Sequence, residues 1–456
     1  MVNDILKYKA RLVAQGFTQA YGIDYDETFA AVATSATFRA LLAKASKDNL
    51  KIKQFDVASA FLNGHLNEDI YMKTPPGFEE GDFVLKLNKS LYGLKQAAKV
   101  WFDTLSKALL EIGFKQSHSD KCLYIFKSEE GICYLMCHVD DLLFVGTSNS
   151  IIDKLSTLLG THFEIKDLGQ IKHFLGIDVI KENGVYSICQ QAYIEKIAES
   201  FELSDIKPQT IPMNVSYYKL DHNKLLPNNT EYRRLLGMLL YVATSSRPDI
   251  AAPVNILAQK TVNPSEWDFS ELKHILAFLL KTKSHRLSMF SSEFKDIPLT
   301  AYSDANWAED RETRKSLSGI LCLVHGGAVV WTSRKQTRVS QSSTESEYYA
   351  VGDAIKELIW LKQLLMDIDI DTSRTTTLNC DNQSCIKLIT NDKLSRRSKY
   401  FDTSYKFIKE AVENKIVELS YVPTEHNIAD ILTKPLNKNR LDYLRKLLHF
   451  DFSNVS

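Results

Sequence analysis

Asp140 and Asp141 stand side by side inside an apolar run, Ile132-Cys-Tyr-Leu-Met-Cys-His-Val-Asp-Asp-Leu-Leu-Phe-Val-Gly146. Adjacent carboxylates among Val, Leu and Phe are costly unless something compensates them. A divalent cation does so directly, because it takes hard oxygen ligands and removes the mutual repulsion. The short apolar flanks read as strands, which sets the pair at a hairpin turn. There both carboxylates can face one spot, although strand alternation would send them to opposite faces. The plainer alternative is an ordinary turn, where Asp is common.

A third carboxylate is available. Lys51-Ile-Lys-Gln-Phe-Asp-Val57 reads as an apolar strand carrying Asp56 near its end, followed by a helix-like ASAFLNG. Three carboxylates around two divalent ions meet the needs of nucleotidyl transfer. One ion lowers the pKa of the attacking hydroxyl, and the other holds the triphosphate and steadies the leaving group. Downstream, Ser90-Leu-Tyr-Gly-Leu-Lys-Gln-Ala97 joins a glycine turn to Lys95 and Gln96, which suits contact with an incoming base and template strand.

Acids gather again toward the C-terminus. Asp304 ends the strand-like LTAYSD, Glu347 lies in SSTESE at the start of a helix, Asp381 follows TTTLNC, and Asp430 sits in NIAD. Four acids on separate elements of one α/β domain can hold two divalent ions that activate water for attack on a phosphodiester. Each also has a plain structural reading as a strand end or helix start. For Glu347 that reading is a capping box with Ser343 or Thr344.

The elements that must carry these residues follow from pattern. Leu50–Val57 and Asp82–Leu87 read as strands and Ala97–Ile112 as a helix. FLGIDVIKENGVYSICQ reads as a strand pair turning at Asn183-Gly184. Ile194, Ile197, Ala198 and Phe201 share a helix face, as do Leu272, Ile275, Leu276 and Leu279. Residues 205–230, with Pro208, Pro212 and Pro227, read as a linker. A new α/β pattern begins at Leu299, with a long helix over Glu345–Met366, helices near Cys385–Thr390 and Lys399–Asn414, and a last helix near Asn427–Leu432.

A chain of 456 residues holds several domains, and 44% hydrophobic with 25% charged residues is ordinary for a globular protein. The 56 basic residues balance 56 acidic ones, so net charge points to no partner. Local basic clusters at Arg311, Arg314 and Lys315, at Arg334, Lys335 and Arg338, and at Arg396, Arg397 and Lys399 read as phosphate-facing patches or as solvated loops. Seven cysteines without a CxxC pair read as core thiols of a reducing compartment. No stretch has the length of a membrane span, and an intracellular protein is expected.

The ordered motifs carry a family resemblance. KARLVAQGFTQ, YDETFA, QFDVASAFLNG, IYMKTPPGF, KSLYGLKQA, HVDD, DLGQIKHFLGID and YRRLLGMLLYVATSSRPDI occur in the order seen in Ty1/copia-type retrotransposon reverse transcriptases. YSDANWAED, RKSLSG, SSTESEYYA, CDNQS and NIADILTKP are similar to the RNase H domain of the same family. The resemblance implies a multidomain α+β and α/β protein. It would comprise partial fingers and palm of a right-hand polymerase (1–165), palm end, thumb and linker (166–230), a helical connection (231–298), an RNase H-like domain (299–437) and a helical tail (438–456). It implies a polymerase metal site of Asp56, Asp140 and Asp141, and a nuclease site of Asp304, Glu347, Asp381 and Asp430. Two Mg2+ or Mn2+ ions would serve each. Phe61 matches the bulky gate against a ribose 2′-hydroxyl, Gln96 a residue beside the incoming nucleotide, and Lys9 and Arg11 basic residues near its phosphates. Glu345 is left as helix-terminal charge.

The implied function is to copy RNA into DNA and destroy the RNA strand of the hybrid, with RNA template, DNA primer, RNA–DNA hybrid and dNTPs as partners. The implied location is the cytoplasm, in a virus-like particle, or the nucleus. Departures set the alternatives. Only eight residues precede Lys9, His138 replaces the usual aromatic, Ala98-Lys99 follow SLYGLKQA where Pro and Arg are common, and Tyr400 and Ser404 replace common basic residues. A truncated, impaired remnant that binds nucleic acid, or a chain keeping only the nuclease, is the rival expectation.

Overall fold

The computed structural model describes residues 10–78, 81, 83–219, 224–310, 312–390 and 402–451. The chain forms two compact units, each interrupted in sequence: residues 1–34 with 51–171, and residues 35–50 with 172–456. No described helix is long and apolar enough to cross a membrane.

The first unit is built on a sheet of β1 (Lys51–Val57), β4 (Lys115–Gln116), β5 (Leu123–Ser128), β6 (Gly131–His138), β7 (Asp141–Gly146) and β8 (Ile165–Gln170), in the order β4-β5-β6-β7-β1-β8. The short hairpin β2 (Tyr71–Lys73) and β3 (Val84–Lys86) stands apart as a second sheet. Helices α2 (Ala97–Ile112) and α3 (Asn149–Leu159) complete the unit. Trp101, Leu105 and Leu109 of α2 recur at helical spacing and pack with Phe55, Phe144 and Leu155 in one core. Gly113, in the left-handed region at φ 105°, ends α2 and caps its last carbonyls. ASAFLNG, read as helix-like, forms only a 3₁₀ turn at Ala60–Asn63.

The second unit takes α1 (Ser35–Lys47) from the early chain. Its Arg39 is 5% exposed, donates to the carbonyls of Val329, Thr244 and Ser245, and lies over the Trp331 ring. A five-stranded sheet follows, with β9 (His173–Phe174), β10 (Ile177–Glu182), β11 (Val185–Cys189), β12 (Arg286–Ser288) and β18 (Phe450–Asp451). The β10–β11 turn falls at Asn183-Gly184, both at positive φ as that dipeptide favours. Helices α4 (Gln191–Ser200), α5 (Thr230–Ser245), α6 (Ala251–Ala258) and α7 (Glu266–Lys281) follow. The expected linker over 205–230 is instead anchored where it is described. Met213 and Tyr217 are buried, and the Tyr217 hydroxyl donates to Asp268 at 2.6 Å. Burial of an aromatic with its hydroxyl satisfied outweighs the loop-like composition of this stretch.

The last sheet runs β15 (Gly327–Lys335), β14 (Leu317–Val324), β13 (Thr300–Ala305), β16 (Thr376–Cys380), β17 (Val417–Tyr421). The first three strands are antiparallel, and β13, β16 and β17 are parallel. Helix α8 (Ser343–Asp367) packs on this sheet, with α9 (Gln383–Thr390), α10 (Asp402–Glu413) and α11 (Lys438–Leu447) after it. The expected last helix is a 3₁₀ turn, Ile428–Leu432. All seven cysteines are free and buried, as their reading as core thiols expects.

Candidate functional site

In the first unit, β6 and β7 are joined through Val139 and Asp140, with His138 opposite Asp141. Val139 has φ 57°, a strained value for a β-branched residue, which places the turn's tightness at the Asp pair itself. Two bonds hold this turn: the Trp101 indole N–H donates to the Val139 carbonyl at 2.6 Å, and the Val57 N–H to the Asp140 carbonyl at 2.8 Å. On the neighbouring strand Asp56 lies directly opposite Asp141. Cross-strand partners share a face, so these two acids project together. The Gln54 amide donates to Asp141 Oδ1 at 3.2 Å. Partial burial, with the charges of Asp140 and Asp56, raises the Asp141 pKa against the pull of the Gln54 bond. A cation would relieve that repulsion, and the all-oxygen donor set suits Mg2+ or Mn2+.

The other residues expected near a nucleotide divide. Phe61 packs edge-on against Tyr92, ring centroids 4.9 Å apart, between two apolar clusters. Gln96 is 1% exposed, and its amide donates to the Asp24 carbonyl at 2.8 Å and accepts from Gln19 at 3.0 Å. It therefore anchors the 19–25 segment instead of presenting its amide to a ligand. Lys95 binds the same segment through the Gln19 carbonyl and the Tyr25 hydroxyl. Arg11 lies over the Tyr92 ring, 5.4 Å from its centroid. Lys9 falls outside the described residues, as do Arg311, Arg396, Arg397 and Lys399. Gly93, at φ 93°, is needed here: a Cβ would meet the Ala14 carbonyl oxygen at 2.1 Å.

In the second unit, β13 and β16 run parallel with Tyr302 opposite Asn379. Asp304 and Asp381, each two residues further on, reach the same end of the sheet. Glu347 comes down from α8 and accepts from the Ala305 N–H at 3.2 Å. The capping box that is the plain alternative for Glu347 is absent. Ser342 caps α8 by accepting from the Glu345 N–H, and Glu345 in turn accepts from the Gln341 N–H. The helix starts at Ser343, two residues before the expected Glu345, so Glu347 lies inside it and is 5% exposed. Among the described residues, the one group of three or more His, Cys, Asp or Glu with ligand atoms within 4.8 Å of one another is Glu347, Cys380 and Asp381. The hairpin acids are not gathered that closely.

Burial and the charges of Asp430 and Asp381 push Asp304 up to about 7, despite Lys434 nearby and the Thr433 hydroxyl donating to it. Burial, then Asp304, lifts Glu347 far above the carboxylate range. Asp430 already has counterions: Lys434 and Arg440 each lie 2.7 Å from its carboxylate. For Lys434 burial pulls downward, but Asp304 and Asp430 outweigh it and its pKa rises. A set of buried acids that repel one another fits divalent cations in the same way as the hairpin.

Sequence reasoning missed Trp101, Gln54, Thr433, Lys434, Cys380 and the role of Gly319. Gly319 faces Asp304 across β13 and β14, and a Cβ there would meet Thr433 Cγ2 at 2.8 Å and the Ala429 carbonyl at 2.9 Å. The glycine of RKSLSG thus admits the turn that carries Asp430.

The protein is thus a mixed α/β chain with an acid-bearing hairpin in one unit and a buried acid set at a sheet end in the other. Residues 2–215 match the family reverse transcriptase (RNA-dependent DNA polymerase). The chain is 36% identical to the Pol polyprotein from transposon TNT 1-94 of Nicotiana tabacum, over 97% of this chain and 34% of that one. It is 32% identical to the transposon Ty5-1 protein YCL074W of Saccharomyces cerevisiae, over 66% of this chain and 100% of that one. The chain belongs to the copia/Ty1-type retrotransposon Pol polyprotein family. It spans about a third of the length of the plant polyprotein. Among solved structures it is similar to LC11-RNase H1 isolated from compost, at 15% identity and a TM-score of 0.24, over 32% of this chain and 96% of that one.

Proposed function

We propose that this chain extends a DNA primer on an RNA template at Asp56, Asp140 and Asp141, and cuts the RNA strand of the resulting hybrid at Asp304, Glu347, Asp381 and Asp430. The observation that carries the reading is the pairing of Asp56 with Asp141 beside a turn that ends in Asp140. Divalent ions bound at each acid set would lower the pKa of the attacking hydroxyl or water and offset charge on the leaving oxygen.

The chain's own residues do the rest. Trp101 and Val57 fix the strained turn, so Asp140 and Asp141 keep their direction. Gln54 orients one Asp141 oxygen. In the second unit the Ala305 N–H aims Glu347, the Thr433 hydroxyl aims Asp304, and Lys434 with Arg440 form ion pairs with Asp430 that fix its carboxylate. Preorganised side chains of this kind reduce the rearrangement needed when a phosphodiester arrives. Phe61, beside the turn glycine segment, would be the contact that rejects a ribose 2′-hydroxyl.

The test is an extension assay with RNA template, DNA primer, dNTPs and Mg2+, comparing the chain with Asp140→Asn. A parallel assay on a labelled RNA–DNA hybrid uses Asp381→Asn. Extension that is absent, or indifferent to Asp140→Asn, removes the polymerase half. One observation favours a second reading, in which this chain keeps only nuclease activity: among the described residues, ligand atoms of Glu347, Asp381 and the neighbouring Cys380 converge within 4.8 Å, and no such group forms at the hairpin. Hybrid cleavage without extension would select it.

A further inference from the structure

Cys380 gives the nuclease acids a character that carboxylates alone lack. It is the last residue of β16, fully buried, and its thiol donates toward Glu347 Oε2 at 3.8 Å. The chain bends at Asp381, which frees that side chain from strand alternation and lets consecutive residues serve one spot. One carboxylate oxygen of Glu347, one of Asp381 and the Cys380 sulfur lie within 4.8 Å of one another. A second buried thiol, Cys385, lies against the first, which raises the Cys380 pKa, and burial raises it further.

We propose that this site also takes a thiophilic divalent cation, Zn2+, through Cys380 Sγ, Glu347 and Asp381, in competition with the hard cations of the nuclease reaction. The inference rests on the nuclease reading for the competition, though not for the binding. Bond lengths support it. With Zn–S about 2.3 Å and Zn–O about 2.0 Å at tetrahedral angles, sulfur and oxygen ligands sit roughly 3.5 Å apart. The observed 3.8 Å is close to that edge, so little movement is needed. Two carboxylates and one thiolate leave a fourth position for water, the pattern of an open zinc site. Binding forms one Zn–S and two Zn–O bonds, and the protons held by the Cys380 thiol and the Glu347 carboxyl leave to solvent. Mg2+ has no use for sulfur, so the thiol discriminates between the two ions. Zinc bound this way occupies Glu347 and Asp381 and displaces the hard ions.

Co2+ serves as the spectroscopic stand-in for Zn2+, titrated into the full chain in Mg2+-free buffer. The expected result is a thiolate-to-cobalt charge-transfer band in the near ultraviolet with strong visible bands of four-coordination. Zn2+ should abolish these bands, and excess Mg2+ should weaken them. Cys380→Ser should remove the charge-transfer band and weaken Co2+ binding more than about 10-fold, while Cys385→Ser keeps both. Cobalt binding without a charge-transfer band overturns the proposal, as does a band that survives in folded Cys380→Ser. If that variant fails to fold, the wild-type chain still decides: a band indifferent to Mg2+ excludes a shared site. A chain that shows the band yet leaves the hybrid uncut keeps the zinc site and sinks the nuclease reading.

Discussion

Asp141 and Asp304 are both strand aspartates with acidic neighbours, yet they sit in opposite surroundings. Asp141 is half-buried beside a two-residue turn, with the neutral Gln54 amide donating to its carboxylate. Asp304 is 3% exposed, held by a threonine hydroxyl and overlooked by Lys434. The first unit controls its acids through backbone, with a strained turn pinned by an indole. The second controls them through side chains, with internal cations that neutralise Asp430. The difference teaches where each site is vulnerable: geometry in one, charge balance in the other.

The sharpest break of that comparison is a matched pair of variants. Asp304→Asn should cut hybrid cleavage at least about 100-fold, since even indirect partners of metal ligands commonly cost 10–100-fold. Without metal at pH 8 it should also raise thermal stability, by about 1 kcal/mol, because wild-type Asp304 is then ionised and buried. The sign follows from a folded pKa raised above its ordinary 3.8 to about 7: ionisation above 3.8 disfavours the folded chain. Saturating Mg2+ should reverse the order by stabilising the wild type alone. Asp141→Asn should remove primer extension to a similar degree with little gain in stability. Equal stability gains in a melting experiment would erase the distinction between the sites.

Next in size is Gly319→Val, which drives a side chain into Thr433 and the Ala429 carbonyl. A loss of about 1–3 kcal/mol is expected, with hybrid cleavage falling and extension spared. A variant that melts normally and cuts normally would show that the turn carrying Asp430 tolerates displacement. Trp101→Phe keeps the ring's bulk but leaves the Val139 carbonyl without its donor. It should cost about 1 kcal/mol and lower extension while leaving cleavage unchanged. The smallest effect is a pH dependence. Burial first, then the neighbouring Arg445 and Arg247, depress His285 to about 4 from an ordinary 6.5. The unfolded chain therefore takes up the proton first, and stability present above pH 6.5 is lost as the pH falls toward 4. Denaturation curves of His285→Gln should be flatter across that window, and an unchanged slope would reject this assignment.

Local chemistry was legible where neighbours in sequence decide it. The Asn183-Gly184 turn, the limits of Ala97–Ile112 and the strand before Asp56 needed only dipeptide preference and periodicity. The acids themselves could be read because buried carboxylates demand a reason. What stayed hidden depends on distant partners. Gln96 reads as a residue beside an incoming nucleotide, and its bonds to Gln19 and Asp24, more than seventy residues away, leave no mark in the local pattern. The plain alternative for Glu347, a capping box with Ser343 or Thr344, failed because the cap is Ser342, which the pattern did not single out. Cys380 passed as a core thiol because its proximity to Glu347 arises from a helix crossing a strand. The membership of residues 35–50 in the second unit left no signature at all, since a helix buried over Thr37–Ser46 does not announce in its sequence which surfaces will cover it.

That early helix sets a timetable for the ribosome. Arg39 closes its bond to Val329 across 290 residues, so at about 5–20 residues per second its partner emerges roughly 15–60 s later. Throughout that interval the guanidinium and the apolar face of α1 are held open, while the intervening stretch of chain is free to fold around β1. Completion of the second unit is thus a late event of synthesis, and a nascent chain stalled before residue 329 carries an exposed helix that chaperones would be expected to cover.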